Sequence, residues 1–446
     1  MKFNFRPISA VAALGIAAGL LVIASPSATA ATPVPTAEVT AKDSFYRYDG
    51  STPLASYSPG AILKSRTISY HAIGIPLPLT AIQLLYRSTD INGNPSANVT
   101  SVIKPPLLNT GRGKGKAISY QSAYDSLNPE DSPSRSIAGG LSLGGLIASA
   151  ETAVITPSLL QGYTVIVPDT EGQDAVFAAG PAYGTYTLDS ARAALKSSAT
   201  GLNANTKLAL LGYSGGAIAT GWASQLAPSY APDINKNLVG AAEGGLLVAP
   251  AHNLKYVSGS LVWAGVAPMA IIGVARALNL DFSPYLNSYG LQVFAKLKYA
   301  SIINALAQYP GLTWEKIAKP EYSNPNSIPI FVEAVNRVNR GQAPSPTIPM
   351  FIAQGSNGVL EGTAGFGVGD GVMIAGDVRS LARQFCASGT TVQYDQYYLL
   401  SHSIGTVPWF IKALGWIDQR FAGASAPNNC GSIAPGNSLA PEQVVS

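Results

Sequence analysis

Charge is scarce in this 446-residue chain, with only 12% of residues Asp, Glu, Lys or Arg, against a usual share of roughly 25%. The formal charge is +4 and no Lys/Arg cluster stands out, so the electrostatic footprint that nucleic acid demands is missing. An apolar partner suits such a surface, and an unusually large core would explain it equally well. Histidine and cysteine are also sparse, at three and two residues. That is too few for a metal-ligand cluster, and neither metal nor cofactor is expected. Long hydrophobic runs are nearly absent beyond the N-terminus. The one candidate, 261–280, is interrupted by Arg276, which argues against a membrane-spanning helix.

Residues 1–30 read as a secretory signal. Lys2 and Arg6 form a short positive region, 8–23 an apolar stretch, and Ala28-Thr29-Ala30 a small-residue cleavage site. Its removal leaves roughly 400 residues, enough for one large core with an insertion or for two domains. In an oxidising compartment Cys386 and Cys430 can form one disulfide, worth about 3–4 kcal/mol in the chain-entropy model. Asn98-Val99-Thr100 is a glycosylation sequon wherever the host has the machinery. Residues 31–53 are rich in Pro, Thr and Ala without apolar periodicity and are expected to form a flexible leader arm.

From about Thr67 onward, strand-like runs (81–87, 99–103, 116–120, 164–167, 207–211) alternate with helical patterns at 186–197 and 215–225. Continuous apolar strands followed by helices predict an α/β fold with a mostly parallel central sheet covered on both faces. After 238–243 the pattern changes: 246–340 reads as helices alone, including 260–280 and 295–306. Strands resume at 347–353 and 391–398, with helices at 377–385 and 407–421. The expected organisation is a core of 54–245 and 341–446, with 246–340 inserted as a helical cap over the carboxyl edge of the sheet.

Gly212-Tyr213-Ser214-Gly215-Gly216 matches G-x-S-x-G. Alone the match is weak, because the chain holds 45 glycines and Gly140-Leu141-Ser142-Leu143-Gly144 matches as well. Context separates the two. A nucleophile elbow needs a buried strand before the serine, a helix after it, and small flanking residues that let the two approach. Residues 207–211 and 217–223 supply both for Ser214. Ser142 follows 134–140, which lacks strand character, and is expected in a loop or helix start. The context points to an α/β-hydrolase fold with Ser214 as nucleophile.

A serine needs a base, and the base needs a carboxylate to hold its tautomer. In this fold the order is Ser, then acid, then His. That order excludes His71. His252 follows Ser214 too closely and reads as a capping or solvent-facing residue. His402, between a late strand and the last long helix, takes the role of base. Among the acids, Asp233 and Asp281 fall too early or inside the cap, Asp377 reads as a first-turn or N-cap acid, and Asp395 lies within a strand. Asp370, in the Gly-rich loop after the 347–353 strand, leads, with Glu361 of the same loop as the alternative. The oxyanion needs pre-aimed donors. The Gly215 N–H is the natural first, and the loop 121–126 after an early strand offers Asp125 for the second, with an ordinary turn aspartate as the alternative reading.

At these residues the chain resembles the secretory lipase family, the large-capped α/β-hydrolases typified by yeast lipase A. The likeness is carried in series by Ala123-Tyr124-Asp125-Ser126, by the run 161–172 ending Pro168-Asp169-Thr170-Glu171-Gly172, by the Ser214 elbow with Trp222 downstream, and by Pro228-Ser229-Tyr230-Ala231-Pro232. The resemblance implies a carboxylic ester hydrolase acting on acylglycerols or simpler esters. It implies Ser214, Asp370 and His402 as triad, Asp125 and Gly215 at the oxyanion hole, and a bridge between Cys386 and Cys430. Residues 371–374 lack the proline usual after the family's aspartate. The partner so implied is a hydrophobic acyl ester or a lipid–water interface, met by a secreted monomer. Rival readings are an acyltransferase using the same triad, a peptidase, and a catalytically silent lipid-binding protein.

Overall fold

The computed structural model describes residues 43–106 and 111–445. The expected signal, 1–30, and most of the expected leader arm lie outside the described residues. The part of that arm from Asp43 onward is docked rather than free. Phe45 and Tyr46 are buried, and Asp43 both caps the turn Ser44–Tyr46 and pairs with Arg66 at 2.7 Å. Two aromatics in a polar stretch were the overlooked anchor.

Among the described residues nine strands form one sheet in the order β1-β2-β3-β5-β4-β6-β7-β8-β9. β1 (Ile62–Ala72), β2 (Ile75–Thr89) and β3 (Pro95–Ile103) pair antiparallel, and β3 meets β5 (Thr164–Pro168) antiparallel. β4 (Lys116–Gln121), β5, β6 (Lys207–Tyr213), β7 (Leu238–Gly244), β8 (Met350–Gly355) and β9 (Val392–Tyr397) run parallel. β1 was not among the expected strands; its alternation of half-buried and exposed residues gives a weaker signal than the continuous apolar strands. On β6, Leu208 and Leu210 enter the hydrophobic cluster on one face of the sheet while Ala209 and Leu211 enter the cluster on the other, as period-2 alternation requires. Helices Gly180–Lys196, Gly215–Tyr230 and Ala375–Ala387 cover the first face; helix His402–Phe421 covers the second with Trp409, Ala413 and Trp416.

Between β7 and β8 the chain forms helices and adds no strand to the sheet. Their apolar sides build a separate cluster, including Met269, Val293, Trp314 and Phe331. Two expected helices are redrawn here. The 260–280 segment becomes helical only at Val266, and 295–306 splits into Ser288–Leu297 and Ile302–Ala305 because Ser301 and Asn304 form a capping box that starts a new helix. Cys386 and Cys430 are bridged, fastening helix Ala375–Ala387 to the C-terminal segment. Asn98 is fully buried on β3, its amide donating to Tyr86 Oη and the Asp169 carbonyl, so the sequon is inaccessible in the folded chain.

Candidate active site

β6 ends at Tyr213, helix Gly215–Tyr230 begins one residue after Ser214, and Ser214 alone makes the turn at φ 55°, ψ −121°. A positive φ is unusual for a side chain with a Cβ and persists only where the surroundings impose it. Here the Ser214 N–H donates to Gly244 O at 2.9 Å and its carbonyl accepts from Ala217 at 2.8 Å. β6 and the helix can approach because Gly212 lacks a Cβ, which would sit 2.3 Å from Gly216 O, and the helix can approach β4 because a Cβ on Gly216 would sit 2.1 Å from Gln121 O. A Cβ on Gly215 would lie 1.7 Å from Asp125 Oδ1.

His402 opens the last helix, and its Nε2 lies 2.7 Å from Ser214 Oγ. Its Nδ1 lies 2.8 Å from Asp370 Oδ2, and its own N–H donates to the Asp370 carbonyl at 2.8 Å. Asp370 is fully buried. Its Oδ1 accepts from Val372 and Met373 N–H, and its Oδ2 from Gln354 Nε2 at 2.7 Å. Burial alone would lower the His402 pKa, but the charge and hydrogen bond of Asp370, helped by Glu361 and Asp125, raise it above 6.5. A hydroxyl, an imidazole and a carboxylate linked in this way can move the hydroxyl proton onto the ring and stabilise the imidazolium that results.

Gly215 heads its helix, so its N–H has no intrahelical acceptor and is free to meet a ligand oxygen. Asp125 stands beside it at φ 38°, in the loop after β4, and is buried. Burial pushes its carboxyl up to about 8, with His402 opposing and Glu151 adding to the shift.

The rival residues are placed elsewhere. Ser142 lies in the loop before helix Leu146–Val154 and donates to Asp131 Oδ1 at 2.7 Å. His71 Nδ1 faces the Ile137 carbonyl. His252, expected to cap or face solvent, is instead paired with Asp377, Nδ1 to Oδ2 at 2.9 Å. Asp377 does sit in the first turn of its helix, and Asp395 is paired with Lys412. Glu361 does not meet the imidazole nitrogens. Its carboxylate accepts from Trp263 Nε1 and from the Ser403 N–H, both at 2.8 Å.

Sequence reasoning missed the residues that frame His402. The Trp263 ring stands edge-on to the imidazole, centroids 5.3 Å apart, and Tyr213 lies 5.2 Å away while its hydroxyl donates to the His402 carbonyl. Tyr213 occupies the variable place of G-x-S-x-G, the single available signal. Gln354 and Trp263 had none, since each is brought in by tertiary packing.

Ser214 opens into an apolar cavity of about 930 Å³, its mouth included. Phe177 and Ile218 line it from the core, and Trp263, Val266, Val274 and Phe331 from the inserted helices. Among the described residues no helix is long and apolar enough to cross a membrane, and no group of His, Cys, Asp and Glu is placed to hold a metal ion.

The chain is similar to known proteins in both sequence and fold. The family model described as "Secretory lipase" matches residues 139–429. Lipase 2 of Candida albicans is 31% identical over 403 residues, 87% of this chain and 82% of the relative. A Mycobacterium tuberculosis protein described as a probable inactive lipase is 31% identical over 82% of this chain and 79% of its own length. Candida antarctica lipase A, solved in its closed state, superposes with a TM-score of 0.77 at 25% identity, covering 91% of each chain. A rice cell wall degrading esterase from Xanthomonas oryzae shares the fold, with a TM-score of 0.58 at 14% identity over 80% of this chain and 96% of its own. On the family match and on relatives of this identity aligned over most of the chain, the protein belongs to the secretory lipase family, and so to the carboxylic ester hydrolases.

Proposed function

We propose that the protein is a secreted lipase or carboxylesterase that hydrolyses fatty-acyl esters through Ser214, His402 and Asp370. The observation that carries this reading is the unbroken relay from Ser214 Oγ through His402 to Asp370, at 2.7 and 2.8 Å, opening on an apolar cavity. His402 takes the Ser214 proton as Oγ bonds to the ester carbon, and the carbonyl oxygen becomes an oxyanion facing Gly215 N–H and the protonated Asp125 carboxyl. Collapse expels the alcohol with a proton from His402. Water then attacks the acyl-enzyme by the same route and releases the fatty acid.

The inserted helices supply the specificity. Each CH₂ of an acyl chain buried against Val266, Val274 and Phe331 contributes about 0.8 kcal/mol, binding energy remote from the bond that breaks. Residues 1–30 act as the export signal in this reading, and the enzyme works as a monomer on its ester or at a lipid–water interface. A complete relay favours an active enzyme over a silent lipid binder.

The test is hydrolysis of p-nitrophenyl esters of increasing chain length by the wild type and Ser214→Ala, with fluorophosphonate labelling alongside. Expected are labelling at Ser214, loss of turnover in the variant and a rate that rises with chain length. Full activity in Ser214→Ala defeats the reading. Preferred transfer to an added alcohol over water would redirect it to an acyltransferase.

A further inference from the structure

The loop carrying Asp125 is fastened on both sides by buried acids that the relay does not use. Glu151, on helix Leu146–Val154, accepts from the Ala123 N–H at 3.1 Å, from the Tyr120 hydroxyl at 2.9 Å and from the Ser122 hydroxyl. Glu171, in the turn after β5, accepts from the Ser126 N–H on both oxygens at 3.1 Å and from the Tyr183 hydroxyl at 3.0 Å. Its own N–H donates to the Tyr124 hydroxyl. Asp131 adds a bond to the Ser126 hydroxyl at 2.8 Å. On the cap side, Ile302 N–H donates to the Asp125 carbonyl at 2.7 Å and Leu127 N–H to Ala300 O at 2.8 Å.

Such an arrangement is expensive to build. Glu171 is 1% and Glu151 9% exposed, and among the described residues neither is in salt-bridge contact with a cation, Arg276 acting on Glu171 only from a distance. Burying an acid without a cation costs free energy that hydrogen bonds only partly return. The bonds both acids make converge on one short loop, at whose centre Asp125 holds a positive φ of 38°. A displacement of the order of 1 Å in a catalytic group can cost about a hundredfold in rate. We infer that Glu151 and Glu171 are positioning residues for the oxyanion site: their carboxyls clamp the backbone before and after Asp125 and hold its side chain against Gly215. The inference rests on the reading of Ser214, His402 and Asp125 proposed above. Facing Asp125 are His402 across the site and Glu151, Glu171 and Tyr183 behind it. Burial, with Glu151 adding to it and His402 opposing, resists ionisation of the Asp125 carboxyl.

The test compares Glu171→Leu with Glu171→Gln in the full-length enzyme, with Ser214→Ala run in parallel. Leucine removes the acceptor for the Ser126 N–H; glutamine keeps one acceptor oxygen. With a soluble short-chain p-nitrophenyl ester, Glu171→Leu is expected to lower kcat about tenfold to a hundredfold with KM within about twofold, the mark of an interaction made in the transition state. Glu171→Gln should keep kcat within about threefold of wild type. Unchanged kcat in a folded Glu171→Leu, a loss in KM alone, or an equal loss in both variants overturns the clamp. Should Glu171→Leu fail to fold, Tyr183→Phe deletes one hydroxyl from Glu171. A severalfold fall in kcat at constant KM then supports the clamp, and an unchanged kcat overturns it. If instead Ser214→Ala is fully active, the underlying reading of the site fails, a separate result.

Discussion

Replacing Asp125 separates two states of one carboxyl. An oxyanion beside a carboxylate is repelled, whereas a carboxylic acid can donate to it. Burial pushes the Asp125 carboxyl up to about 8, so at pH 7 the acid form outnumbers the anion about tenfold. As pH rises through that value the donor is lost, and kcat should fall on the alkaline side. On the acid side His402 must be neutral to accept the Ser214 proton. Its pKa is raised above 6.5 by Asp370, so activity falls as pH drops through the raised value. The wild type should give a bell with its alkaline limb set by Asp125. Asp125→Asn keeps a donor that does not titrate, so the alkaline limb should disappear while kcat at neutral pH stays within about tenfold. Asp125→Ala has no donor and should lose about 10²–10³ in kcat, or ~2.7–4 kcal/mol, at every pH with KM little changed. The assay is kcat and KM for a soluble short-chain p-nitrophenyl ester across the bell. An alanine variant within threefold of wild type, or an asparagine variant that keeps the alkaline limb, would refute the assignment.

Three further outcomes follow from the packing. Arg340 and Glu243 form a fully buried ion pair at 2.9 Å beneath helix Gly215–Tyr230. Arg340→Met strands a buried carboxyl and should destabilise by about 3–5 kcal/mol in urea unfolding, much of it recovered by Arg340→Met with Glu243→Leu. His252 donates a hydrogen bond to the Asp377 carboxylate, a gain larger than its desolvation loss, and its pKa rises above 6.5. A raised histidine pKa adds stability that is complete below the unfolded value and vanishes as pH climbs through the folded one. Compared with His252→Gln, the wild type should therefore lose its stability advantage from about pH 6.5 upward, read as the difference between two Tm–pH curves. Removing the Cys386–Cys430 bridge, whose partners are 44 residues apart, should cost about 2–4 kcal/mol of unfolding free energy. The ester-hydrolysis rate of the folded fraction should be preserved, because the bridge lies on the far end of helix Ala375–Ala387 from Asp370.

Much was legible before any fold was known, and the reason is local. A buried strand, a small-residue turn and a helix are consecutive in sequence, so the Ser214 elbow could be told from Ser142 by its neighbours alone. With three histidines and a fixed chain order, His402 followed by elimination. The two candidate acids are separated in space: Asp370 and Glu361 share a loop, and only the folded chain puts one on His402 Nδ1 and the other on Trp263 and Ser403. The same holds for His252, whose partner Asp377 is 125 residues away, and for the docking of Phe45 and Tyr46. Sequence by itself determined what short-range periodicity and spacing encode, namely most of the elements, their order and the strand–turn–helix setting of Ser214. Tertiary structure alone decided which of the scattered buried acids face one another around Asp125, because those contacts join β4, β5 and helix Leu146–Val154 across gaps that no local pattern spans.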